Sequence, residues 1–459
     1  MVIENVVSDA QAHAATLLDV ELHDGCVQSI RRSQASPDTP PQLLLPPLCH
    51  PHIHLDKAYI LTSNNRTSPQ YPDYSDLCPV SGSFKEALAN TSRAKERYNA
   101  EDLYLRGSQL LATSYTQGVT SMRAFVELDH VTGTLPLETA IRLKKEFAHL
   151  LEVQICAFAQ DPIFSTLHGD ANRTIIEEAL AKFSGSIAVL GTTPYVEKSR
   201  RASEKNMEWA ITNALQHHLH LDFHLDYSLK PAPPFSSLGS LQTYSVMDLL
   251  MTHRWLEIAD NSKTVVLGHC TQLSVLPEAD LKQLAETILV SELPIHFVGL
   301  PTSDIFMMGR PEPGAPSSHH RPRGTIHVPS MIRELGLSAC LGVNNVGNAF
   351  TPFGTGDPLQ MASWAVGIYQ TGTAEDAKLL YECVSSRARR AIGLDEGPRF
   401  GPIELDQCVR GMLLLRNPRA IELPSALGES GMAVASRHRL CLRDVVWDPP
   451  DASMRSIVR

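Results

Sequence analysis

This sequence has little positive charge. Forty Lys and Arg stand against 50 Asp and Glu in 459 residues, a formal charge of −10. No basic stripe is available to neutralise phosphates, which excludes a nucleic-acid binder. It also lacks paired cysteine motifs: the nine cysteines are odd in number, widely spaced and free of any CxxC pair. That pattern suits buried free thiols in a reducing compartment rather than a disulfide framework. The opening "MVIENVVSDAQAHAA" has no basic start and no apolar core, so no secretory signal is expected. No run approaches the ~18 apolar residues of a membrane span. These absences together predict a soluble cytoplasmic protein with no nucleic-acid or membrane partner.

What is present is a core-forming chain, 43% apolar and 20% charged. Length alone permits two to four units at about 100–200 residues each, or one large barrel. The most informative pattern is a series of short apolar, β-branched runs that each end in polar or ionisable residues. In order they are "PLCHPHIHLD", "GVTSMRAFVELD", "EVQICAFAQD", "SIAVLGTTP", "LHLDFHLD", "KTVVLGHC", "LPIHFVGLP" and "LSACLGVNN". Between most of them lie segments with helical periodicity, such as "LETAIRLKKEFAHLL" and "NMEWAITNALQHH". Near-continuous apolar strands alternating with helices imply a parallel sheet buried on both faces. Eight such units predict a (β/α)8 TIM barrel over residues 47–399, with its active site at the strand C-termini. Residues 1–46 and 400–459 are β-rich and predict a small composite β-sandwich; there "CVRGMLLLRN" and "HRLCLRDVVWD" both read as strands. Two polar, Pro-rich inserts follow the first and seventh barrel strands, and loops of that length at a barrel's active end are lids or disordered.

The first strand ends in "PHIHLDK". Residues two apart on a strand point the same way, so His52 and His54 can reach one ion. An isolated HxH is more often a pair of surface or core histidines. The case strengthens because the fifth strand ends in His224 and the sixth in His269, and those ends converge on the barrel mouth. Gln160 and Lys57, taken alone, read as polar caps on strand ends. His50 reads as structural. His217, His218 and His220 lie beside a helix end, and His319 and His320 lie in a polar loop.

The order HxH, His on strand five, His on strand six resembles the amidohydrolase superfamily. Its finer likeness is to the cytosine deaminase and N-isopropylammelide amidohydrolase branch, through "PHIHLDK", "GVTSMRAFVELD", "ICAFAQD", "GHCTQLS", "FMMGR" and "FGTGDPLQ". The resemblance implies a metal-dependent hydrolase cleaving a C–N bond of a small cyclic or amide-containing substrate, as a deaminase or amidohydrolase. It implies one divalent metal, Zn2+ first and Fe2+ second, held by His52, His54 and His224. His269 would stabilise the attacking group, Lys57 would act as a cation or proton donor, and Gln160 would read the edge of an N-heterocycle. Enzymes of this type often self-associate, so a homo-oligomer is compatible.

Two departures stand out. The family's strand-eight aspartate, a metal ligand and base, falls on Asn344, followed by Asn345. An amide can coordinate a metal, but it brings no charge and is a very poor base. The HxxE glutamate of cytosine deaminases falls on Tyr227, whose reference pKa of about 10 makes it no substitute for a carboxylate. Asn345 and Tyr227 are then expected to touch substrate. Asp226 remains nearby and is expected to hydrogen-bond His269 or substrate, whereas Asp357 stands twelve or thirteen residues past the strand end. Cytosine itself is therefore not the expected substrate. A non-hydrolytic lyase, cyclase or decarboxylase on the same fold stays open, as does a catalytically silent ligand binder.

Overall fold

The apolar runs become strands with both faces covered. In the computed structural model the residues described are 1–11, 16–36, 39–63, 70–230, 241–310, 324–398, 401–424 and 431–459. Much of the two polar inserts, including His319 and His320, lies outside them. Eight parallel strands follow one another in chain order: β5 (Leu48–His54), β6 (Val119–Glu127), β7 (Glu152–Ala159), β8 (Ile187–Thr192), β9 (His220–Leu225), β10 (Val265–His269), β11 (Ile295–Gly299) and β12 (Ala339–Leu341). Every residue of β5, β9, β10, β11 and β12 is buried. That burial explains why most of these segments carry apolar residues on both faces rather than alternating, with the buried histidines and Asp222 as the exceptions. Just beyond β12, Asn344 donates its N–H to His52 O at 3.0 Å and accepts from His54 N–H at 2.9 Å. Those two bonds tie the last strand end to the first, and the sheet is a nearly closed TIM barrel.

The chain's two ends build additional sheets. Strands β1 (Val2–Val7), β2 (Leu17–His23), β3 (Cys26–Arg32) and β4 (Gln42–Leu45) join β13 (Leu413–Arg416) and β16 (Arg455–Ile457) in the order β16-β13-β4-β1-β2-β3. A separate hairpin pairs β14 (Ala420–Leu423) with β15 (Met432–Ala435). Ile3, Val6, Val20, Leu22, Val27, Leu414 and Val458 form the core of the six-stranded sheet. The segment "HRLCLRDVVWD" is not a strand: Leu442–Trp447 is a helix. Its buried residues Leu442, Val445 and Val446 recur at helical spacing, so a helix buries them on one face where a strand would split them.

One helix matters most for the site. Phe84–Lys95 starts at Ser83, whose hydroxyl accepts from Glu86 N–H, a cap worth about 1 kcal/mol. The Glu86 carboxylate in turn accepts the backbone N–H groups of Val80, Ser81 and Gly82 at 2.7–2.8 Å. This knot fixes the helix so that Phe84 at its start and Lys95 at its end both reach the barrel mouth. Among the described residues no helix is long and apolar enough to cross a membrane.

Candidate active site

His52 and His54 emerge from β5 on one side of the strand, as the two-residue period requires, and His224 comes from the facing end of β9. One ring nitrogen of each lies within 4.8 Å of the others, and all three residues are buried. Nε2 of His224 faces Nε2 of His52 at 2.9 Å. Burial, reinforced by neighbouring histidines and Lys57, holds all three far below the usual imidazole pKa. They are therefore neutral, which is the form that binds a metal. Beside them the side-chain oxygen of Asn344 is buried with no hydrogen-bond partner among the described residues. Three neutral imidazoles and an idle amide oxygen are a donor set that fits a divalent transition metal.

The strand ends are held in an uncommon backbone conformation. Asp226, His269 and Asn344 have φ of 45°, 66° and 67°. Left-handed residues other than glycine cluster where surrounding structure enforces them, commonly at functional sites. Asparagine tolerates this region better than most residues, so the amide at 344 suits the turn as well as the pocket.

His269 ends β10 and turns Nδ1 toward Asp304 Oδ1 at 2.6 Å. Asp304 sits in the helix Pro301–Met307 that follows β11; it is fully buried and also accepts from Thr325 Oγ1 at 2.7 Å. Burial raises its pKa, against the pull of His269 and Thr325. The expectation that Asp226 serves His269 or a substrate is corrected here. The Asp226 carboxylate accepts from the N–H groups of Gln242 and Thr243 and from Thr243 Oγ1, at 2.6–3.1 Å. Its left-handed φ breaks the two-residue alternation from His224 and swings it to the start of the helix Gln242–Thr252. Asp357 is also elsewhere: it caps the helix Pro358–Ile368 and forms two bonds to Arg455, at 2.7 and 2.9 Å.

Lys57 projects just past β5. Its Nζ donates to Glu127 Oε1 at 2.5 Å and to Gln160 Oε1 at 3.2 Å, and it lies 5.0 Å from the centre of the Phe350 ring. Glu127 is shared with Lys95, which also contacts Asp129 at 2.5 Å and Asp161 at 3.0 Å. Burial works to raise the pKa of Glu127, but Lys57 and Lys95 together pull it below the usual range. Lys95 is stripped of water yet kept firmly protonated by Glu127, Asp161 and Asp129. Neither Glu127 nor Lys95 was singled out from sequence; the first hides inside an apolar strand and the second on an ordinary helix face.

The pocket above the histidines is lined by Lys57, Gln160, His269, Asn344 and Asn345, and roofed by Phe84, Tyr195, Tyr227 and Phe350. Tyr227 packs its ring on His269, with centres 4.4 Å apart. Burial raises the Tyr227 pKa well above its ordinary value, so it stays a neutral phenol. Asn345 accepts from Asn348 Nδ2 at 2.8 Å. Among the described residues lining this pocket there is no Asp or Glu, and Lys57 is the one Lys or Arg. His50 lies on the same strand but outside this lining, buried with both ring nitrogens unpartnered among the described residues.

No family model matches the chain. In sequence it is 21% identical over 362 residues to the N-isopropylammelide isopropyl amidohydrolase of Pseudomonas sp. (strain ADP), covering 78% of this chain and 77% of that protein. In structure it matches the 5-methylcytosine deaminase of Klebsiella pneumoniae, solved with 5-fluorocytosine, at a TM-score of 0.69 and 22% identity, covering 90% of each chain. The N-isopropylammelide isopropylaminohydrolase of Burkholderia multivorans follows at 0.64 and 20% identity, over 90% of this chain and 91% of that one. The chain is thus similar in sequence to an N-isopropylammelide isopropyl amidohydrolase and shares its barrel fold with a 5-methylcytosine deaminase and an N-isopropylammelide isopropylaminohydrolase.

Proposed function

We propose that the protein is a metal-dependent hydrolase that cleaves a C–N bond of a small cyclic or amide-containing molecule other than cytosine. The observation that carries the reading is the buried trio His52, His54 and His224, with ligand atoms within 4.8 Å of one another beneath a pocket that also presents His269. A small-molecule substrate is its partner, and the cytoplasm is its proposed place of work. A divalent ion on the trio, Zn2+ first and Fe2+ second, supplies Lewis acidity and eases loss of a proton from water.

The chain's own groups divide the remaining work. Because Asp304 engages Nδ1 of His269, the lone pair is left at Nε2, on a ring that lines the pocket. With no carboxylate in the lining, His269 is the group that accepts the proton of the attacking water, and Asp304 stabilises the imidazolium that forms. Lys57 donates toward the departing nitrogen, and Gln160, braced by Lys57, orients the ring edge or amide. Phe84, Tyr195, Tyr227 and Phe350 exclude water and favour a flat substrate face.

The test is metal analysis after supplementation with Zn2+ or Fe2+, followed by ammonia and amine release from a panel of amino-substituted N-heterocycles and cyclic amides. Bound metal and chelator-sensitive release are expected, both lost in His224→Ala. A protein that takes up no metal overturns the proposal. The carboxylate-free pocket favours a second reading, a lyase, cyclase or decarboxylase step on the same groups. Heavy oxygen from labelled water enters the product under the first reading and stays out under the second.

A further inference from the structure

Far from the barrel mouth in sequence, Cys26 opens β3, directly after the Asp24-Gly25 turn, and Cys408 lies in the segment that leads into β13. The two are opposite each other in an antiparallel bridge. The hydrogen bonds on either side fix its type. Val27 N–H donates to Gln407 O and Val409 N–H donates to Gly25 O, both at 2.9 Å. Those bonds join the neighbours of the two cysteines and leave Cys26 and Cys408 as a non-hydrogen-bonded pair. Such pairs bring Cα atoms to about 4.5 Å with side chains on one face, inside the ~4.4–6.8 Å span of a disulfide. Cys408 is exposed and Cys26 half-buried, so an oxidant can reach the pair, whereas Cys49, Cys156, Cys270, Cys340 and Cys383 are buried. Arg410 supplies a cation beside them, opposed by Asp24.

We propose that Cys26 and Cys408 are an oxidisable dithiol site that closes to an intramolecular disulfide on exposure to a peroxide. The Cys408 thiolate attacks one peroxide oxygen, forming an S–O bond as the O–O bond breaks, and hydroxide leaves and takes a proton to become water. The Cys26 thiol then attacks the sulfenic sulfur, forming S–S as the S–O bond breaks, and its proton goes to the departing hydroxide, which leaves as water. Two sulfurs lose two electrons in total and one peroxide becomes two waters. The new bond staples the C-terminal segment to β3, an edge strand of the terminal sheet, and encloses the whole barrel in one covalent loop. A loop that long restricts the unfolded chain strongly, so the oxidised form should melt higher. The site is independent of the chemistry assigned to the barrel mouth.

The test treats the full-length native protein with hydrogen peroxide, alkylates the remaining thiols, and maps linked peptides by mass spectrometry. Expected are a Cys26–Cys408 peptide, an intact mass lower by about 2 Da, its reversal by dithiothreitol, and a thermal midpoint raised by a few degrees. Cys26→Ser and Cys408→Ser should each lose the link and the gain in midpoint while melting like the reduced parent. Cys78, the other exposed cysteine among the described residues, is the internal control. If peroxide carries Cys408 to sulfinic acid while Cys26 stays alkylatable, or oxidises Cys78 and leaves both cysteines free, the proposal is overturned.

Discussion

Asp304 Oδ1 lies 2.6 Å from Nδ1 of His269, and both side chains are withdrawn from solvent. A carboxylate at that nitrogen sets the tautomer and the ring orientation, and it stabilises positive charge when the other nitrogen takes a proton. The pair has the geometry of a base and its orienter, with His269 at the end of β10 and Asp304 in the helix after β11. It stands where the pocket itself offers no carboxylate.

Asp304→Asn should keep the shape and the bond to Thr325 while removing the charge. Turnover is expected to fall by roughly 10²–10⁴-fold with little change in KM, the size seen when an orienting carboxylate is neutralised. Steady-state kinetics with the substrate found by the panel checks this, with circular dichroism as the control for folding. An unchanged kcat would show that His269 does not work as a base.

Asn344→Asp asks what the missing charge is worth. Both residues tolerate the left-handed φ of 67° at this position, so the backbone should hold. A carboxylate beside His54 and His224 should tighten Zn2+ by about tenfold or more, each decade being about 1.4 kcal/mol. Competition against a chromogenic chelator measures it. Equal affinity in parent and variant would mean that side chain 344 stands outside the metal's reach.

Much of this was legible in the sequence because strand burial leaves an unmistakable trace. Segments such as "KTVVLGH" are apolar on both faces only because helices cover one and the barrel interior the other, and the polar residue that ends each run marks the mouth. His52, His54 and His224 could be read that way, since alternation holds to the strand end. Alternation breaks where the backbone leaves the strand geometry. Asp226 is two residues past His224 and should share its face, yet its left-handed φ turns it to Gln242 and Thr243. Asp304 was missed because its link to His269 spans two strand ends; the acid just after "FVGLP" was the available signal. Lys95 looked like any helix-surface cation, and nothing local announces that three carboxylates converge on it.

Lys95 offers the clearest stability test. Among the described residues it alone joins Glu127 to Asp129 and Asp161, and its side chain is buried. Replacing it by Met preserves most of the volume but leaves buried carboxylates uncompensated. A loss of about 3–5 kcal/mol is expected, typical of removing one partner from a buried ion pair. Urea unfolding at neutral pH reads it directly. A loss below about 1 kcal/mol, the worth of an exposed pair, would place the network in contact with water.

Two histidines away from His52, His54 and His224 set a pH dependence. His220 begins β9 and His296 is the second residue of β11, at the end of the barrel opposite the mouth. His220 Nδ1 accepts from Thr264 N–H at 3.0 Å, and His296 Nδ1 pairs with Ser338 Oγ at 2.6 Å. Burial brings their pKa values down to about 2 and about 4. Above the unfolded value of about 6.5 both states are neutral and neither residue contributes. Below it the unfolded chain takes up protons that the folded chain refuses, so stability falls as pH falls. The loss approaches ~1.4 kcal/mol per pH unit for each histidine, continuing toward pH 4 for His296 and further for His220. Urea midpoints between pH 7.5 and 5 should therefore slope downward for the parent. In a His220→Gln, His296→Gln variant, which keeps an acceptor at each site but no titrating ring, the slope should be shallower. Parallel slopes for the two proteins would mean that these rings take up protons in the folded state, and that the neutral hydrogen-bonded form is not required to hold the bottom of the barrel together.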